Sequence, residues 1–245
     1  MELLRLTQIF FVELLGCMFF HFVGSANPTP WGNAVILCSM VYYCSKISSS
    51  HLNPCVSLTF TLLGHINPLE MIIYWSAQIS GCILGALLIW GLIPTDYLHL
   101  YNGCFVPNDA LTHSTLFGWE ALGTTIFLLP VFSMIWFTKH ESYYGSIGPI
   151  QVGLALLGSA FAAGQWTGAA FNPARVLGSP AVFNCHNNQY LFYYIIGELT
   201  GAVFTALLTI PWYGIYENSW YLHLLPYSID RKLTKFQPGL RKIQE

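Results

Sequence analysis

The sequence predicts an all-α, polytopic membrane protein built as an inverted repeat, with six transmembrane helices and two re-entrant half-helices. Three observations carry this prediction. Of the 245 residues, 54% are hydrophobic and only 8% are charged. That is about a third of the charged share of a soluble domain, too little to cover a water-facing surface. Six apolar stretches approach the ~20 residues needed to cross a bilayer. Two shorter apolar segments each begin with Asn-Pro, one in each half of the chain.

The same composition excludes other classes. With 16% aromatics and no charge runs, the chain is not disordered. A net charge of −2, with no Lys/Arg patch before the tail, excludes a nucleic-acid binder. The seven cysteines show neither CxxC nor metal-ligand spacing, so no metal or cofactor is expected. Most sit in apolar runs as small hydrophobes, whereas Cys104 and Cys185 fall in outer loops, where a disulfide can join them. No GxSxG, HExxH or P-loop pattern supports an enzyme.

The elements follow in order. Span one covers about 7–26. Its opening, MELLRLTQIFFVELLGCMFF, is not a signal peptide, because Glu13 interrupts it, the run is too long and no small-residue cleavage site follows. Span two covers 31–48, and the first half-helix 53–64. A proline just inside a helix start is well placed, since its missing N–H is one of the unpaired groups there. At half a span, this segment enters the membrane without crossing it. Span three covers 68–93, span four 115–138, span five 146–163, the second half-helix 172–182 and span six 189–213. The tail, 216–245, is short and polar and carries no domain. Trp212, Tyr213, Tyr216, Trp220 and Tyr221 fit an interfacial belt. The chain reads as one domain, with repeat one at about 7–93 and repeat two at about 115–213.

Basic residues set the orientation. Arg5, Lys46, Lys139, Arg231, Lys232, Lys235, Arg241 and Lys242 fall on one side, and loops 26–31 and 94–114 contain none. Both termini are therefore expected in the cytoplasm. The remaining basic residue, Arg175, lies at membrane depth, where an uncompensated Arg costs ~3 kcal/mol or more.

The repeat is visible in two places. VELLGCMFF (12–20) matches WEALGTTIF (119–127), and HLNPCVSL (51–58) matches AFNPARVL (170–177). Three spans per copy is an odd number, so the copies insert with opposite topology and place a site between broken helices at the midplane. Gly81 and Gly85, like Gly197 and Gly201, are spaced four apart, which lets helices approach closely.

Three segments, SSSHLNPCVS (48–57), AQISGCILGA (77–86) and GQWTGAAFNPARVLGSP (164–180), resemble signatures of the major intrinsic protein family, the aquaporins and glycerol facilitators. The resemblance covers nearly all of 7–213. The first motif departs from it, with Cys55 in place of the usual Ala. The resemblance implies a pore in each protomer and usually a homotetramer. It places Asn33, Ala160, Ala169 and Arg175 at the outer constriction, with Arg175 as hydrogen-bond donor and cation barrier. The alternative for Arg175 is a buried ion pair with Glu198. A shift of one residue in span five would bring Phe161 to the constriction and narrow it. The large aromatic and His usual in strict water channels are absent, which widens the passage. Val176 stands where glycerol facilitators usually carry Asp, which argues the other way.

The residues themselves support a pore. The irregular stretches 48–53 and 164–172 must line a cavity or be buried in protein, because lipid satisfies no backbone groups. Asn53 and Asn172 can cap their half-helices and still present an N–H to the midplane, with Cys55 beside them. The alternative is that both are N-caps only. Glu13 and Glu120 are expected to accept N–H groups from the loop before their own half-helix, with a proton relay as the alternative. Glu198 receives no role. His51 is expected to support the pore loop, with pH gating at His51 or His140 as the alternative. The expected function is a passive channel for water, with small neutral solutes left open as a second cargo and protons and ions excluded. The alternatives are a pore mainly for glycerol- or urea-sized solutes, or a structural or adhesion protein of the same fold with weak conduction.

Overall fold

Four helices of this chain start alike, with a Thr or Asn cap followed by proline. In the computed structural model, which describes residues 2–138, 142–185, 188–213 and 219–221, Thr29 caps α2 (Pro30–Ser48), Asn53 caps α3 (Pro54–Leu62), Asn67 caps α4 (Pro68–Leu92) and Asn172 caps α8 (Pro173–Gly178). Each cap accepts a backbone N–H from the first turn, filling one of the vacant positions at a helix start. The other helices are α1 (Glu2–Ala26), the short α5 (Leu98–Tyr101), α6 (His113–Thr138), α7 (Ser142–Thr167) and α9 (Leu191–Tyr213). Lys139, His140 and the basic residues of the tail lie outside the described residues.

The chain is a multi-pass integral membrane protein of all-α fold. Among the described residues, five helices are long and apolar enough to cross a bilayer by length and composition: α1, α4, α6 over His113–Ser133, α7 over Ile147–Thr167 and α9 over Leu191–Trp212. The sixth long helix, α2, has 19 residues, and Asn33, Ser39, Ser45 and Lys46 dilute its apolar run. Part of that dilution has a use, since Asn33 borders a cavity. Helix α7 starts earlier than the expected 146, and α8 ends at Gly178 rather than 182. The chain beyond α8 turns away at Ser179, whose oxygen accepts the Val182 and Phe183 N–H groups.

Glycines set the close pairings of α1 with α4 and of α6 with α9. A Cβ at Gly85 would lie 2.6 Å from the Met18 carbonyl, and one at Gly197 would lie 2.8 Å from that of Phe117. Only a missing side chain allows these contacts. The two half-helices fill the space between the halves, α3 packing on α4 and α9, and α8 on the same two helices. The C-terminal end of α3 is closed by residues 219–221. Trp220 Nε1 donates to the Thr61 carbonyl (3.2 Å) and the Tyr221 hydroxyl to that of Leu62 (2.8 Å), satisfying carbonyls that a helix end leaves vacant. Near the C-terminal end of α1, where Gly103 meets Ser25, Cys104 and Cys185 form a disulfide, with Cα atoms 5.7 Å apart.

Candidate functional site

The site is built from the two loops that lead into α3 and α8. Both carry left-handed residues at alternate positions: Ser50 (φ 55°) and Leu52 (φ 52°) in one, Ala169 (φ 54°) and Phe171 (φ 49°) in the other. This conformation costs an L-residue ~1 kcal/mol or more, so something must hold it. In the first loop Glu13, fully buried, accepts the Ser48 hydroxyl, the N–H groups of His51 (2.9 Å) and Leu52 (2.7 Å), and the Gln78 amide (2.9 Å). In the second loop Glu120, also fully buried, accepts the N–H groups of Ala170 (3.4 Å) and Phe171 (3.0 Å), with the Thr167 side chain beside it.

A tyrosine ties each loop to the next span. Tyr74 donates its hydroxyl to the Ser48 carbonyl, and Tyr194 donates to that of Thr167 at 2.6 Å. Glu198 accepts the Asn172 N–H at 2.8 Å, and it makes no ion pair with Arg175.

The two asparagines meet reciprocally. Asn53 Nδ2 donates to the Phe171 carbonyl (2.7 Å), and Asn172 Nδ2 donates to the Leu52 carbonyl (2.9 Å). Each Oδ1 accepts its own helix's N–H, from Cys55 (2.8 Å) and Ala174 (3.1 Å). An amide nitrogen carries two hydrogens, so one on each Asn remains beyond these bonds. Both side chains border a cavity of about 40 Å³, space for only a few water molecules. Loop residues Ser49–Leu52, Ala170 and Phe171 form one side of it, and Leu37, Val41, Val56, Phe127, Val131, Val152 and Leu156 form the apolar remainder.

Cys55 is not part of that wall. Its side chain is fully enclosed, and Val56 lines the cavity instead. The reason is helical geometry. Thr59, one turn on and on the same face of α3, bonds the Ala202 carbonyl of α9, so this face looks into the packing between α3 and α9.

His51 does border the cavity. Its ring is sandwiched between Phe60 (4.2 Å) and Tyr74 (4.1 Å), with Nδ1 3.0 Å from Ser57 Oγ and Nε2 unpartnered.

Toward the disulfide end the passage opens into a vestibule of about 470 Å³, bordered by Asn33, Ala160, Ala169 and Arg175 together. Phe161, 57% exposed, borders the same vestibule with its ring edge-on to Trp31 (6.3 Å between centres), while Ala160 is 7% exposed. The Arg175 guanidinium lies 4.6 Å from the Phe20 ring centre and 5.3 Å from that of Phe105, a stacked setting that favours a planar cation. Arg175 Nε, Asn33 Oδ1 and Ser25 Oγ are buried without a protein partner. The disulfide at Cys104 anchors the loop that carries Phe105. Among the described residues no three His, Cys, Asp or Glu side chains gather as a metal site would.

The sequence did not single out Phe20, Phe105, Ser25, Tyr74, Tyr194 or Gln78. The tyrosines had a signal: superposing α4 and α9 on Gly81 and Gly201 places Tyr74 on Tyr194 and Gln78 on Glu198.

Residues 21–209 match the description "Major intrinsic protein". The chain is similar to Aquaporin A of Dictyostelium discoideum, 30% identical over 174 residues, which cover 70% of this chain and 61% of that protein. A probable PIP-type aquaporin of Solanum lycopersicum is 28% identical over 72% of this chain and 63% of its own length. The chain thus spans less than two thirds of either relative. Aquaporin-8 of Notomys alexis is 30% identical over 80% of this chain and 78% of its own length. The fold is similar to that of the aquaglyceroporin from Plasmodium falciparum, with a TM-score of 0.74 at 22% identity over 83% of this chain and 95% of that one.

Proposed function

The chain belongs to the major intrinsic protein family, a family of non-enzymatic channels, and from that premise we propose that its pore carries water, admits small neutral solutes through a wide outer filter, and excludes protons and ions. The observation that carries this reading is the reciprocal contact of Asn53 and Asn172 beside a cavity of about 40 Å³. A water in that neck exchanges bulk hydrogen bonds for loop carbonyls and asparagine N–H groups on one side, and meets apolar wall on the other. The exchange costs little for water. An ion finds too few partners to replace its hydration shell. A water whose oxygen is held by both asparagines cannot accept a proton from its neighbour in the file. The positive ends of the half-helices and Arg175 add repulsion for cations.

In this reading Asn33, Ala160, Ala169 and Arg175 form the outer filter, and Glu13, Glu120 and His51 support the pore loops. Two alanines at the filter leave room for a solute larger than water. Arg175 and Asn33 border that space and bring it a guanidinium donor and a carboxamide. That pairing favours the second reading, a pore for urea- or glycerol-sized molecules alongside water. We further read the chain as a single domain of two repeats, assembled as a homotetramer with both termini cytoplasmic. Arg5 and Lys46 at one end of the bundle support that orientation.

Stopped-flow measurements on proteoliposomes with water, glycerol and urea gradients test the proposal. Water permeability well above that of empty liposomes is expected, with slower but measurable urea or glycerol entry. Permeability no higher than in empty liposomes would overturn it.

A further inference from the structure

The two halves differ at one station behind the pore. The Tyr74 and Tyr194 hydroxyls bond equivalent carbonyls, and four residues later on the same helix faces stand Gln78 and Glu198. Gln78 donates its amide to Glu13 Oε2 at 2.9 Å and to Ser57 Oγ at 3.1 Å. Glu198 holds the corresponding place beside Glu120: the two carboxylates accept the N–H groups of adjacent residues, Glu120 that of Phe171 (3.0 Å) and Glu198 that of Asn172 (2.8 Å). An amide can donate to a carboxylate, but a second carboxylate cannot.

Both glutamates are fully buried. Glu198 Oε1 is engaged with the Asn172 N–H at 2.8 Å, and Oε2 has no donor from the protein. Two bare carboxylates side by side, shut away from water, would repel strongly. One proton between them turns the repulsion into a short, charge-assisted hydrogen bond.

We propose that Glu198 is a protonated side chain standing in for the Gln78 amide: its Oε2–H donates to Glu120 while its Oε1 holds the Asn172 N–H. Glu198 is then a positioning residue for the second pore asparagine, and the second re-entrant loop, unlike the first, depends on a bound proton. The functional part of this inference rests on the reading of Asn172 as a pore residue. The other polar and titratable groups around the pair are the Thr167 hydroxyl at the end of α7, Arg175 on α8, Cys55 on α3 and Tyr194 on α9. The hydrogen bond exists while the shared proton is bound. It is lost as pH rises far enough to remove that proton, because the pair then carries two charges, separates, and releases Asn172. Water permeability therefore falls on the alkaline side, as that proton is lost.

The test uses the full chain in two forms. In detergent solution, free of lipid esters, infrared spectra of the wild type show a protonated-carboxyl carbonyl band that is absent from Glu198→Gln. In proteoliposomes, Glu198→Ala lowers neutral-pH water permeability by up to about tenfold, since it strands the Asn172 N–H. Glu198→Gln rebuilds the arrangement of the first half, recovers most of that loss and removes the alkaline fall. A wild type without the infrared band, or a Glu198→Gln protein that keeps the same alkaline fall, overturns the proposal. If Glu198→Gln does not fold, the hydrogen–deuterium shift of the wild-type band decides alone. Wild-type vesicles that conduct no water overturn the pore reading instead, and leave the infrared result to judge the proton.

Discussion

In the first half, Ser48, His51, Leu52 and Gln78 gather on Glu13, and the half-helix that follows runs nine residues with Val56 facing the cavity. In the second half, Thr167, Ala170 and Phe171 gather on Glu120, with Glu198 in the fourth place. The half-helix there is six residues long and carries Arg175 at the position of Val56. The shared parts surround the midplane and fix two loops in the same conformation. Apart from Glu198 in the place of Gln78 and the contacts of Trp220 and Tyr221 with the end of α3, the unshared parts (Arg175, Phe105 beside it, and the disulfide) lie toward the vestibule. Symmetry therefore builds the neck, and its violations build the filter. A passage equivalent from either end would need only the first.

Four experiments break or sharpen this comparison, in order of expected effect. Glu13→Ala and Glu120→Ala each strand several buried donors at ~1–3 kcal/mol apiece, so each removes most of the folded protein. Thermal unfolding and size-exclusion profiles in detergent check this, and a severe loss in only one half would end the claim of equivalent frames. Next, Cys104→Ser removes a crosslink that only the vestibule end possesses, at about 2–4 kcal/mol. Its melting temperature is expected to match that of reduced wild type, and a wild type indifferent to reductant would count against the anchor. Arg175→Ala is expected to raise urea or glycerol entry about tenfold, equivalent to ~1.4 kcal/mol of barrier, whereas Val56→Ala leaves solute selectivity unchanged. Equal shifts from both would move the filter away from the vestibule end. The smallest effect belongs to Tyr74→Phe and Tyr194→Phe, each losing one hydrogen bond at about 1 kcal/mol. Their melting temperatures should drop alike, and a marked inequality would show that one tyrosine is not holding its loop.

Particular residues explain how far the sequence could be read. Glu13 and Glu120 stood out because a carboxylate inside an apolar run needs a reason, and the reason recurred with the Asn-Pro pairs. Arg175 stood out in the same way. Asn-Pro alone was a weaker sign than it looked, since Asn67-Pro68 merely caps α4. Phe20 and Phe105 were hidden because, in a chain with 16% aromatics, one more ring is no signal. The Gln78–Glu198 equivalence appears only when Gly81 is set on Gly201, and the contacts show why that is the right pairing: Gly81 faces Leu14 and Cys17 as Gly201 faces Ala121 and Thr124. The side of α3 that Cys55 occupies follows from which helix α3 packs against, and no local pattern encodes that.

The central claim is that one neck, formed by Asn53 and Asn172 together, passes water and stops protons. Stopped-flow shrinkage of proteoliposomes loaded with a pH-sensitive dye reads both fluxes in the same vesicles. The account predicts water efflux far above that of empty vesicles, with proton flux at the empty-vesicle level under an imposed pH gradient. Water efflux no faster than in empty vesicles, or proton flux that rises with the amount of protein, would contradict it.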